Sequence, residues 1–589
     1  AASEPCSSVD AVGRFYERAG GLLALLYVTE ATDLHSGNLI ASGEHPVLID
    51  LEALFHPHRS APLTDDTASA DARASHCVRA SLLRIGLLPE RVWGNDEREG
   101  VDISGLGTPD GQLTPHGVAA WEDAGTDTMH LVRRPKAIEA DRNRPVLDGR
   151  PVDVLDFRRD LLRGFEAAYD ILANRRARLT APDGPLRRFQ TDAISVFLRS
   201  SRTYRRLLRE SYHPDVLRDA LDRDRLFDRL WAEVPDNQVL THVIGAERRD
   251  LWSGDIPCFA ARPDSRDVWF DKGRRLPDVF AEPSVSAVER RVGQLSDTDR
   301  ARQAWVIEAS LASLPGGETR WPSYTHTPSL SPAAPDRLLR AAMRVGERLG
   351  ALALRGTAGA SWVVLQREDR TTWSIARAGL DLDAGIPGIA LYLAYLGTVS
   401  GVEHPTILAR DALATQLEVT QDRASSLSGI GAFDGLGGLV YVLSHLSALW
   451  GRPDLLREAH ALGARLPDLI DQDDAFSVFA GAAGCILTLR SLHRCAPSDR
   501  VVTTAVRCGE HLLRSCVHTG RGLGWPGLRN DRTPHARFLH GTAGVATALL
   551  ELHAWTGDDR FQTTAMAALE GEPTRTRPSA NADRSINVA

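Results

Sequence analysis

Asp33 and Asn38 stand in Thr32-Asp33-Leu34-His35-Ser36-Gly37-Asn38-Leu39-Ile40, and Asp50 follows in Pro46-Val47-Leu48-Ile49-Asp50-Leu51-Glu52. An amide oxygen and a carboxylate brought together suit a hard divalent cation, and a nearby Asp can orient or deprotonate a hydroxyl. For these groups to act jointly the chain must fold back between them. The apolar segments 38–42 and 46–51 flank the turn-prone Ser42-Gly43-Glu44-His45-Pro46, so a β-hairpin is expected. It carries Asp50 back towards Asn38, with Asp33 and His35 on the loop leading in. A polar loop capping a buried hairpin would use similar residues; a second Asp where the hairpin returns favours chemistry.

Other elements must hold this unit. Val12, Phe15, Tyr16, Ala19, Leu22, Leu23, Leu26 and Tyr27 recur at three and four, which predicts a helix over 11–31 running into the loop. A Ser/Ala/Asp-rich loop is expected at 59–74, and a short helix over 80–88 before Pro89. His56, His58 and His76 are irregularly spaced and read as solvated rather than as metal ligands. Residues 91–153 are rich in Gly, Asp and Pro; Asp102-Ile103-Ser104-Gly105-Leu106-Gly107 lacks a phosphate-loop pattern. Helical spacing returns over 154–182. Within Val196 to Tyr204, Arg199 stands among hydroxyl residues and can hold a phosphate, although most such arginines cap or cover surfaces. A strand-turn region at 232–280 and helices over 284–313 close this part, and a Pro/Gly-rich linker spans 314–334.

Beyond the linker the chain repeats itself. Gly385-Ile386-Pro387-Gly388, Gly435-Leu436-Gly437-Gly438, Gly481-Ala482-Ala483-Gly484 and Gly541-Thr542-Ala543-Gly544 each open an apolar helix, at intervals of 50, 46 and 60. Amphipathic helices are expected between them at 404–419, 453–470, 500–516 and 559–570. Paired helices at such a period build a solenoid or a toroid. Residues 573–589 lack apolar periodicity and read as a disordered tail.

Composition narrows the function. At 589 residues the chain exceeds one core. A net charge of −8 without a long basic stretch argues against nucleic acid. No run of 18 apolar residues exists, so no membrane span is expected. Seven scattered cysteines make no disulfide framework, which points to a reducing cytoplasm. The chain starts at Ala1 and its first Met is Met129, which reads as a fragment; neither a phosphate-binding loop nor its Lys precedes Asp33.

The spacing from Asp33 to Asn38 matches the protein-kinase catalytic loop, and D-x-H-x-x-N is closer still to lipid kinases. Taken with the glycine repeats, Arg14-Phe15-Tyr16-Glu17-Arg18, His45-Pro46-Val47-Leu48-Ile49-Asp50-Leu51-Glu52, His56-Pro57 and Gly254-Asp255-Ile256-Pro257, the chain resembles the class II lanthipeptide synthetases. The resemblance runs to about residue 572. It implies a mainly α chain with a smaller α+β part. Residues 1–313 would be the lobe of a lipid-kinase-like dehydratase, and 335–572 an incomplete (α/α) barrel of the lanthionine cyclase type.

The resemblance also implies roles. Asp33 and His35 look like the pair serving phosphoryl transfer from ATP to a Ser or Thr of a precursor peptide, and Asn38 and Asp50 like the magnesium ligands. Arg199 and Ser201 fall where the family eliminates the phosphate, with Ser201 for the usual Thr. Ser195 stands for an expected Arg, which puts elimination in doubt, and Gly37 for an acidic residue. His540 in Phe538-Leu539-His540-Gly541 looks like the cyclase acid/base for thioether ring formation from Cys. Ser477 replaces an Asp. The family's zinc ligands, a Cys and a Cys-His-Gly, find no counterpart, and no Cys follows Cys516, as truncation or a reading-frame slip would leave it. Cys495, Cys508, His511, Cys516 and His518 suit a substitute zinc site poorly. Two functions follow: a synthetase seen as an incomplete copy, or a peptide-binding remnant that keeps the folds without the full chemistry.

Overall fold

The computed structural model describes residues 2–58, 68–92, 101–107, 112–113, 117–137, 142–314, 334–367, 373–423, 429–519, 522–526 and 537–570. The expected tail at 573–589, and the expected linker save its two end residues, lie outside them. The chain is mainly helical, with short antiparallel hairpins and one four-stranded sheet. It divides into two compact units: Ala1–Thr64, His76–His326 and Leu365–Ala376 form the first, and Asp65–Ser75, Thr327–Val364 and Arg377–Ala589 the second.

In the first unit, helix α1 spans Val9–Val28. Ser8 is extended, and its hydroxyl accepts from the Ala11 N–H at 3.2 Å, which satisfies one of the four N–H groups a helix start leaves over. Val12, Phe15, Tyr16, Ala19, Leu23, Leu26 and Tyr27 are buried along one stripe, as their spacing requires. Across that stripe lies a later helix, Arg158–Asn174, at a crossing that admits no side chain. A Cβ on Gly20 would lie 2.0 Å from the Leu161 carbonyl oxygen, and one on Gly164 would lie 1.8 Å from that of Glu17. Backbone rests on backbone, and α1 hands the chain to residues 29–38 at a fixed angle.

Strands β1 (Leu39–Ser42) and β2 (His45–Leu48) pair antiparallel with Leu39 opposite Leu48 and Ser42 opposite His45. The turn is Gly43-Glu44, with Gly43 at φ 56°, a left-handed conformation that glycine adopts without strain. Glu44 is clamped by Arg14 and Arg18 of α1 at 2.6 and 2.7 Å.

Two local expectations needed correction. A helix, α2, occupies Ala70–Arg79, where polar composition suggested loop as far as 74, and over the expected 80–88 the chain makes a 3-10 turn at Leu82–Ile85. Helix Ile244–Ser253 lies inside the stretch read as strand and turn; its Glu247 finds a buried partner that periodicity could not show.

The second unit is a toroid-type array of helix pairs. Apolar inner helices at Ile386–Ser400, Leu436–Trp450, Ala482–Cys495 and Thr542–Thr556 alternate with outer ones at Glu403–Arg423, Pro453–Gly463, Asp499–Ser515 and Asp559–Glu570. The second glycine of each G-x-x-G has one steric cause. A Cβ there would meet the carbonyl oxygen six residues earlier, at 2.3 Å for Gly388, 2.5 Å for Gly438, 2.0 Å for Gly484 and 1.8 Å for Gly544. The loops before the helices also bond to one another: Leu382 N–H to Phe433, Ala432 N–H to Val478, Phe433 N–H to Phe479, and Phe479 N–H to Leu539.

Candidate functional site

Residues 30–55 carry four non-glycine residues with positive φ: Glu30 (51°), Asp33 (65°), Asp50 (60°) and Phe55 (54°). Such conformations cost free energy and persist where surrounding contacts enforce them. Here the contacts are backbone hydrogen bonds. Thr32 N–H bonds to Ala53, Leu34 N–H to Ile85, Ser36 N–H to Ile103 and Ile49 N–H to Asn38, at 2.9–3.2 Å. The last of these, with the Leu39–Leu48 register, brings Asp50 beside Asn38 as the hairpin spacing predicts.

Asn38 is buried, and its Nδ2 donates to the Asp33 carbonyl at 2.8 Å, which leaves its Oδ1 as the free end of the amide. His35 accepts from the Gly37 N–H through Nδ1 at 3.1 Å, so Nε2 is the ring nitrogen left to meet a ligand. Asp33 is exposed, yet enough protein surrounds it to shift its ionisation. Burial raises its pKa, the Glu52 and Asp50 carboxylates add to the rise, and the His35 and Arg205 charges oppose it. Sequence reading missed Glu52 and Arg205. Glu52 lies two residues past Asp50, and its Oε2 accepts from the Ser195 hydroxyl at 2.7 Å. Arg205 lies four residues after Ser201 on helix Ser201–Ser211, a spacing that puts both on one face.

Ser195 thus belongs to the site region, paired to Ala260 in the sheet. Arg199 does not face solvent. Its side chain is fully buried, with Nε 2.8 Å from Glu247 Oε1, itself fully buried, and the Tyr204 hydroxyl donates to the same oxygen at 2.6 Å. Ser201 is exposed at the first position of its helix.

The loop is braced from behind by one buried carboxylate. Glu30 meets Arg84 Nη1 at 2.7 Å, Arg291 Nε at 2.9 Å and His58 Nε2 at 3.2 Å. Burial opposes its ionisation, but the His58 hydrogen bond and the Arg291 and Arg84 charges prevail and hold its pKa at about 2. A cavity of about 870 Å³ opens here, with Asp33, His35, His76, Arg79, Arg84 and Arg291 among the residues that line it. Asn38 and Asp50 do not line it. None of His76, Arg79, Arg84 and Arg291 carries a motif spacing that sequence alone would flag.

The donor set suits magnesium. Asn38 Oδ1 and the Asp50 carboxylate offer two oxygens, and this ion commonly takes one or two protein ligands and completes its shell with water and phosphate. Among the described residues no three His, Cys, Asp or Glu side chains converge on a common point. Cys485 and Cys508 are buried, and the Cys485 hydrogen bond together with burial drives the Cys508 thiol well up. His511 Nε2 is engaged by the Asp473 carbonyl at 2.9 Å.

In the second unit His540 ends an aromatic row. Phe433 stacks on Phe479 at 5.7 Å, and Phe479 meets the His540 ring at 4.6 Å. Ser477 is buried two residues before Phe479, its hydroxyl accepting from the Ala480 N–H at 3.2 Å. Asp473 performs the helix-start capping, accepting from Ala482, Ala475 and Phe476 N–H groups.

Among the described residues no helix is long and apolar enough to cross a membrane. Residues 1–262 match a family model described as a domain of unknown function, DUF4135, and residues 377–585 match one described as lanthionine synthetase C-like protein. Over 105 residues the chain is 32% identical to the lacticin 481/lactococcin biosynthesis protein LcnDR2 of Lactococcus lactis subsp. lactis, a match covering 18% of this chain and 11% of that protein.

Proposed function

The chain belongs to the class II lanthipeptide synthetase family, and we propose that its first unit phosphorylates and dehydrates Ser and Thr of a precursor peptide while its second adds Cys thiols to the products. The observation that carries this reading is the enforced loop-and-hairpin unit, in which Asp33, His35, Asn38 and Asp50 share one backbone framework.

Each residue has work that its setting supports. A raised pKa makes the Asp33 carboxylate a better base than an ordinary Asp, suited to orienting the peptide hydroxyl and taking its proton. His35, with Nδ1 occupied, turns Nε2 to the transferring phosphoryl group of ATP. Asn38 and Asp50 would hold magnesium, which when bound neutralises the phosphate charge. Asp50 is placed for this by β2, and Asn38 by its bond to the Asp33 carbonyl. Arg199 is committed to its buried ion pair with Glu247, while Ser201 presents its hydroxyl at a helix start where a phosphate is favoured. In the second unit His540 moves the proton when a thiol adds to a dehydrated residue.

The test is incubation of the chain with ATP, magnesium and a peptide rich in Ser, Thr and Cys, followed by mass spectrometry. Loss of water from the peptide, abolished by Asp33→Asn, is the expected result. A peptide that gains no phosphate and loses no water overturns the proposal for the first unit. A pre-dehydrated peptide whose thiols remain free with wild type, as they should with His540→Asn, overturns it for the second.

A further inference from the structure

Segment 101–107, whose Ile103 carbonyl receives the Ser36 N–H, closes a tight turn in which the Gly107 N–H bonds to the Ser104 carbonyl at 3.1 Å. Three polar side chains meet on that turn. Asp102 Oδ1 accepts from the Ser104 N–H at 3.0 Å, and Asn143 Nδ2 donates to the Gly105 and Gly107 carbonyls at 2.9 and 3.3 Å. A Cβ on Gly107 would lie 2.2 Å from Asp102 Oδ2, so carboxylate and amide come up to the same glycine. Asp102, Ser104 and Asn143 are 1%, 5% and 1% exposed.

These bonds leave oxygens over. Asn143 Oδ1 and the Ser104 hydroxyl have no hydrogen-bond partner among the described residues, a costly state for polar atoms so deeply buried. An amide oxygen and a carboxylate can only accept, and the one hydroxyl proton of Ser104 can serve only one of them. A hard cation takes lone pairs from all three. A second carboxylate stands close by: burial and then the Asp102 charge push the pKa of Glu90 up. Glu90 and Ser104 both line the cavity that Asp33 lines, which gives an ion its way in. Two carboxylates and two neutral oxygens, supplied from irregular segments, suit calcium, which tolerates uneven coordination, better than magnesium, which demands a near-ideal octahedron.

We propose that Glu90, Asp102, Ser104 and Asn143 form a calcium site that fastens segment 101–107 to the loop carrying Asp33 and His35. The segment is already bonded to that frame, Ile103 accepting the Ser36 N–H at 2.9 Å and the Gly105 N–H meeting the Gly86 carbonyl at 2.9 Å. An ion held on the 104–107 turn therefore stiffens the backbone that sets His35 and Asp33. The site shares no donor with the Asn38–Asp50 pair, and it does not depend on the proposed phosphorylation.

The full chain carrying Asp50→Asn, which removes the charged ligand of the Asn38–Asp50 pair, is stripped with chelator and titrated with calcium chloride in a calorimeter. One ion per chain should bind, raise the thermal midpoint and slow hydrogen exchange in the peptide containing Ser36. Asp102→Asn, which keeps an acceptor for the Ser104 N–H, and Ser104→Ala, each added to that chain, should weaken binding by about tenfold or more while their chelated midpoints match the chelated parent. Glu90→Gln, at an exposed position, should weaken binding with the fold intact and decides the matter where either buried variant fails to fold. No calcium-dependent heat or midpoint shift in the parent, as a buried water on the turn would give, overturns the site. So does parental calcium affinity in every variant that folds.

Discussion

Replacing Glu30 by Gln removes the one carboxylate that Arg84 and Arg291 share. In the folded protein its pKa lies at about 2 against an ordinary 4.5, a difference equivalent to about 3 kcal/mol of stability. The folded value is the lower one, so this stabilisation is complete above about pH 4.5 and is lost as pH falls towards about 2. The side chain of Glu30 is 5% exposed, and those of Arg84 and Arg291 are 14% and 12% exposed, so little solvent screens the loss. Gln leaves two largely buried guanidiniums without the carboxylate they share, and breaking a buried pair in this way costs about 3–5 kcal/mol. The readout is urea unfolding at pH 7, with hydrogen exchange resolved to peptides from α1 and from helix Ser284–Gln294, which carries Arg291. Those peptides should lose protection first in Glu30→Gln. Between pH 5 and pH 3 the wild type should lose more stability than the variant, which has no carboxylate to titrate. Equal urea midpoints at pH 7 together with parallel acid losses would refute the reasoning, because the carboxylate would then carry neither the local fold nor its acid sensitivity.

Other changes test separate links. Asp33→Asn keeps a residue that tolerates φ 65°, so phosphorylation should fall by about a hundredfold or more while the thermal midpoint holds; a matched fall in both would mean that the loop has collapsed. Gly20→Ala should cost about 3 kcal/mol or prevent folding, because its Cβ meets backbone at 2.0 Å, whereas for Gly21→Ala the nearest atom is 3.8 Å away and the cost should stay below about 1 kcal/mol; equal urea midpoints for the pair would contradict the crossing. Tyr204→Phe removes a donor to the buried Glu247 and should cost about 1–3 kcal/mol without slowing phosphorylation of the peptide; an unchanged midpoint would mean that water replaces the hydroxyl.

Much of the site's framework was legible because it is local. Asp33, Asn38 and Asp50 are joined by a hairpin whose turn residues and alternating segments are written in consecutive positions, and the register followed from them. The glycine repeats were legible for the same reason, since each steric contact spans six residues. What escaped depends on distant partners. Arg199 reads as a phosphate ligand among hydroxyl residues until Glu247, on a helix hidden in a strand-like stretch, closes on it. Arg291 lies 261 residues from Glu30, and no spacing rule links them. α2 was obscured because its buried faces are alanine and a paired Asp71 rather than large apolar residues.

The chain of bonds from Leu382 through Phe433 and Phe479 to Leu539 gives the second unit the thermodynamics of a one-dimensional array. Each loop is held by its neighbour in the row, so the free energy of opening is shared between adjacent pairs rather than drawn from one central core. Exchange of the Phe433 and Phe479 amides should therefore be correlated. A lesion at Gly484, whose Cβ would strike the Val478 carbonyl that also receives the Ala432 N–H, should loosen the preceding repeat as well as its own. Damage in such an array travels by rungs, and its reach measures the coupling between them.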